Sequence, residues 1–83
     1  MTNIATINDF LSSPEWSSGE KWVISWQFGL LGDFQTALAK AIIQADEENL
    51  DRLGLGFPAQ VSGFRAWAYG DLGVRLRVAG LGI

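Results

Sequence analysis

DFQTALAKAIIQADEENLDRL, residues 33–53, decides how the rest of the chain is read. Phe34, Leu38, Ala41, Ile42, Ala45, Asn49 and Leu53 recur at steps of three and four. That spacing predicts one helix with these side chains on a single face. Asp33 suits its N-cap, and Gly54 suits the left-handed position just past its end. Asp33, Lys40, Gln44, Glu47, Glu48 and Asp51 take the opposite face, while Ala39, Ile43 and Leu50 form a second apolar strip. Two strips predict a helix held between layers, of the fold or of another subunit.

The segments on either side are shorter. Phe57-Pro58 predicts a second helix over about 58–68, with Pro58 at its first position and Val61, Phe64, Trp67 and Ala68 on one face. Thr6 to Leu11 reads as one helical turn, and Ser13-Pro14-Glu15 as a second start that ends at Gly19. Within Lys21 to Phe28, Trp22, Ile24, Trp26 and Phe28 alternate with Lys21, Val23, Ser25 and Gln27. Alternation of β-branched and aromatic residues predicts a strand over about 21–28, with a short helix continuing from Pro14 as the competing reading. Val74-Arg75-Leu76-Arg77-Val78 also alternates and predicts a strand over about 74–79, followed by a flexible or edge segment, Gly80 to Ile83. The expected fold is therefore α+β: a single domain over 1–83 with two helices and two short strands.

Composition narrows the chemistry. The chain has 83 residues with neither cysteine nor histidine. No disulfide can form, thiolate or imidazole metal ligands are absent, and the commonest acid–base side chain is missing. The expectation is a non-enzyme with no cofactor and no metal. So small a core needs added support, which favours a homo-oligomer. Met1-Thr2-Asn3-Ile4 lacks the features of a secretion signal, and the longest apolar run, Trp22 to Leu31, is interrupted by Ser25, Gln27 and Gly29. A cytoplasmic chain without a membrane partner is expected.

Charge is unevenly placed. Residues 1–51 carry eight acids against Lys21 and Lys40, whereas residues 52–83 carry Arg52, Arg65, Arg75 and Arg77 against Asp71. This is too few cations for duplex DNA, but two or three guanidinium groups suffice for a small anion. Four tryptophans in so short a chain are also unusual. Indole faces stack nucleobases and arginine binds phosphate. Trp67 with Arg65, Arg75 and Arg77 is therefore a candidate nucleotide-binding group, and Trp26 a candidate contact. The competing reading places the tryptophans in the core and the arginines in solvent. Asp46 and Asn49 interrupt the apolar surface of the central helix. They either bond backbone groups of neighbouring turns or line a site. Gly54-Leu55-Gly56 follows a helix rather than a strand, so it is not a dinucleotide fingerprint.

Gly32 to Trp67 resembles a widespread group of small phage and prophage proteins of uncharacterised role. The shared pattern is carried here by Gly32, Phe34, Ala45, Asp46, Asn49, Leu53, Phe57 and Pro58. No catalytic or ligand-binding residue comes with it. The resemblance implies a binding protein that counters host immunity in the host cytoplasm, either as an oligomeric sponge for a nucleotide-type signal or by occupying a host defence protein. The alternatives are a protein–protein interaction module acting through Trp22–Phe28 and a phage structural or accessory protein.

Overall fold

Two aspartate- and serine-capped starts and two glycine-capped ends set the architecture. The computed structural model describes residues 2–83. It contains six helices among them: α1 (Ile4–Ser12), α2 (Ser18–Gln27), α3 (Asp33–Gln44), α4 (Glu47–Gly56), α5 (Pro58–Ala68) and α6 (Leu72–Val78). No described residue lies in a strand. The α+β expectation is thus overturned: both strand segments are helical. The helix expected over 58–68 is α5.

The segment 21–28 belongs to α2. Ser17 caps it, accepting from the Glu20 backbone N–H at 3.1 Å while the Glu20 carboxylate accepts from the Ser17 N–H at 2.8 Å. This reciprocal pair satisfies two otherwise unpaired donors. Pro14 lies in the preceding turn, and Gly19 lies inside α2 instead of ending an element. Trp22, Val23 and Ile24 are all buried. Three consecutive buried residues do not fit a strand with one wet face. At the other end Gly29 takes a left-handed φ of 69°. Its N–H bonds the Trp26 carbonyl, and the Leu30 N–H bonds that of Ser25. This paired closure is the Schellman motif.

The segment 74–79 falls in α6 and its cap. Leu72 and Leu76, four residues apart, are buried, whereas Val74 and Val78 are exposed. A strand would have turned all of Val74, Leu76 and Val78 inward. Gly80 (φ 106°) repeats the Schellman closure: its N–H bonds the Arg77 carbonyl and the Leu81 N–H that of Leu76. Leu81, expected in a loose tail, is 1% exposed and packs into the core.

The central helix is two helices. Ala45 is extended (φ −73°, ψ 135°), and the Asp46 carboxylate accepts from the Asn49 backbone N–H at 2.9 Å, starting α4. Gly54 lies within α4 against Val61 of α5 and does not end the helix. The apparent second strip dissolves accordingly. Ala39 and Leu50 are buried on two different helices, and Ile43 is exposed. The turn expected from Thr6 is α1, which starts earlier, with Asn3 as its cap, the side chain accepting from the Thr6 N–H.

One hydrophobic cluster takes residues from every helix: Ile7, Trp22–Ile24, Leu38, Ala39, Ile42, Leu50, Val61, Phe64, Leu72 and Leu76, closed by Leu81. The most extensive helix contact is α2 on α5, where Gly19 and Gly63 bring the two backbones together. Among the described residues, no helix is long and apolar enough to cross a membrane.

Candidate functional site

The four arginines of the C-terminal half meet different fates. Arg65 projects from α5 to α4, where it bonds Glu47 and, at 2.8 Å, Asp51. Its hydrogen bond to Glu47, with the charges of Glu47 and Asp51, raises its pKa above the ordinary arginine value. Arg75 reaches Glu20 at 2.8 Å and Asp71 at 3.0 Å, and bonding to Glu20 raises its pKa likewise. Arg52 bonds Glu48 at 2.7 Å and the Asn49 side chain at 3.3 Å. Arg77 is different: among the described residues no carboxylate lies within ion-pair distance of it.

Arg77 lines a shallow hollow of about 380 Å³ together with Trp67, Ala68, Gly70, Gly73 and Val74. Such a volume is at the lower end of the range for small-molecule sites, about 300–1,000 Å³. Gly73, which has no side chain, forms part of its wall. A Cβ there would sit 3.4 Å from the Trp67 ring (Cζ3) and 3.6 Å from Arg77 Nη1. An indole edge and an unpaired guanidinium therefore flank the same empty space. Trp67 is half-buried at the end of α5. Gly73, Val74 and Arg77 are presented together because Arg77 follows Gly73 by four residues and Val74 by three on α6, the spacings of neighbours on a helical surface.

Of the residues singled out in the sequence, the structure brings Trp67 together with Arg77 and Asp46 together with Asn49, and gives Arg65, Arg75 and Trp26 other partners. Arg65 ties α5 to α4, and Arg75 ties α6 to the start of α2. Trp26 is half-buried in an aromatic cluster, its ring 6.0 Å from that of Trp22 and 6.4 Å from that of Phe64. Asp46 is a helix cap. Asn49 lies in a separate open groove of about 490 Å³, lined also by Ala41, Gln44, Ala45, Arg52 and Leu53. Gly70, Gly73 and Val74 were not singled out beforehand. Their signal was the helical spacing of Gly73 and Arg77, which is invisible while 74–79 is read as a strand.

Chemically, the hollow offers an indole edge, a cation with five donors and an apolar wall at Val74. It offers no carboxylate and no nucleophile. Such a set holds a flat ring and an anionic group at once. No protein-family model matches this chain, and no curated protein and no solved structure matches it.

Proposed function

We propose that this is a non-enzymatic binding protein whose Trp67–Arg77 hollow takes a nucleotide-type small molecule, the base against the indole and a phosphate on the guanidinium. The observation that carries the reading is the position of Arg77: it has no carboxylate partner among the described residues and stands beside an indole edge and an empty glycine surface. A charge-assisted guanidinium–phosphate fork is among the stronger polar contacts available to a protein. The resemblance of Gly32–Trp67 to small phage proteins supports a biological setting for it: sequestration of a nucleotide-type immune signal in the host cytoplasm.

The interaction-module alternative, as attached to Trp22–Phe28, has less support. Trp22, Val23 and Ile24 are buried, and Trp26 is packed on Phe64. Substituting Trp26 would disturb the core before it disturbed a partner.

The test is a titration of the purified protein with mono-, di- and cyclic nucleotides, followed through the indole N–H resonances. Saturable movement of the Trp67 resonance supports the reading. Absence of movement for every nucleotide up to millimolar concentration sinks it. Heat release and mass spectrometry of whatever co-purifies from producing cells then identifies the natural ligand.

A further inference from the structure

Among the six helices, α3 is the one that makes no extensive backbone contact with any single other helix. It buries Leu38, Ala39 and Ile42, and Gln35 accepts from the Trp22 indole N–H at 2.9 Å. Beside that face runs a second one, made of Phe34, Ala37, Ala41 and Gln44, all exposed. Phe34 is 64% exposed although its ring already rests 6.0 Å from that of Phe57. Steps of three, four and three are the seam spacing of a two-stranded helix pair. The alanines would let a second helix approach closely, and the groove lined by Ala41, Ala45 and Leu53 continues the surface onto α4.

Charge identifies the occupant. Asp33 and Lys40 are seven residues apart and therefore lie along one edge of this seam. Both are exposed, and among the described residues neither has an ion-pair partner. An antiparallel copy of α3, related by a two-fold axis at Ala37, brings Asp33 to within one residue, about 1.5 Å of helical rise, of the level of Lys40 of the second copy, twice by symmetry. The same axis brings each Phe34 to within one residue of the level of an Ala41, a large side chain beside a small one. A parallel pair would align like with like and lose both matches. We propose that α3 is the interface of an antiparallel homodimer with its axis at Ala37. This stands independently of the Trp67–Arg77 hollow, which lies on other helices.

The absence of cysteine makes the test clean. Ala37→Cys should cross-link to a covalent dimer on mild oxidation or with a short bis-maleimide, whereas Ser62→Cys, on the exposed side of α5, should remain a single chain. In sedimentation equilibrium the unmodified protein should show a dimer. Lys40→Asp should weaken it roughly tenfold, and Asp33→Lys with Lys40→Asp should restore it. Circular dichroism establishes that each variant keeps its helices. A single-chain mass at all concentrations up to millimolar overturns the proposal. Equal cross-linking at positions 37 and 62, or a helical double variant no tighter than Lys40→Asp alone, also overturns it.

Discussion

Gly19 of α2 and Gly63 of α5 face each other so closely that a Cβ built on Gly63 would stand less than 3.0 Å from the Gly19 carbonyl oxygen. A Cβ on Gly19 would equally strike the Ala59 carbonyl. The obstructing atoms are backbone, which cannot rotate away. These two glycines set the distance between the helices that carry most of the core.

Replacing either glycine by alanine therefore has a predictable sign. Helix propensity alone would add about 0.5–1 kcal/mol of stability. The clash opposes this with an overpacking cost of about 1–3 kcal/mol or more, because two helices must separate. We expect Gly63→Ala and Gly19→Ala to be net destabilising in urea denaturation, while Gly56→Ala, with open space around it, is not. A stabilised Gly63→Ala would refute the close crossing.

Glu20 supplies a pH dependence. Burial acts to raise its pKa, but bonds from the Ser17 backbone N–H, Arg75 and the Ser17 hydroxyl together outweigh it and hold the carboxyl below its ordinary value of 4.5. A group with a lowered folded pKa contributes stability that is present above the ordinary value and is lost as pH falls through the folded one. Glu20→Gln keeps the bond to the Ser17 N–H but loses the charge facing Arg75, and should cost about 0.5–1 kcal/mol at neutral pH. The difference between the two proteins should shrink as pH is lowered below about 4. Denaturation curves at neutral and acid pH measure it, and a difference independent of pH would contradict the assignment.

Leu81 is predicted to matter although it lies outside the six helices. Leu81→Ala should cost about 2–5 kcal/mol, as for other fully buried leucines. Gly80→Ala should add strain of its own at φ 106°. Thermal unfolding measures both; a variant at Leu81 with unchanged stability would mean the C-terminal segment does not close the core.

That residue also shows what the sequence could reveal. Gly80-Leu81 is a glycine followed by an apolar residue, the signature of a Schellman closure, and Gly29-Leu30 is the same pattern at the end of α2. Reading those pairs first would have made helices of the segments before them. Alternation misled because α2 buries nearly its whole width near Trp22–Ile24, so period two arises there without a sheet. In α6 the true signal was Leu72 and Leu76, four apart. The second helix was legible because Pro58 starts it and Val61, Phe64 and Trp67 follow at helical steps. The break at Asp46 was hidden because apolar residues continue at steps of three and four across it. Asp46 and Asn49 were visible as anomalies, but only their backbone bond tells a cap from a ligand. Trp67 and Arg77 could be chosen by residue type; choosing Arg77 over Arg65 and Arg75 required knowing where Glu47, Asp51, Glu20 and Asp71 lie.

The most direct test of the functional account compares Arg77→Ala with Arg65→Ala in calorimetric titration against the nucleotide that most perturbs the Trp67 resonance. Arg77→Ala should keep the stability of the parent within about 0.5 kcal/mol, as expected for an exposed side chain without a partner. It should bind at least about tenfold more weakly, through the lost charge-assisted bonds to phosphate. Arg65→Ala should weaken the α4–α5 tie and leave affinity unchanged. Undiminished binding by Arg77→Ala, or equal losses in both variants, would contradict the assignment of the site.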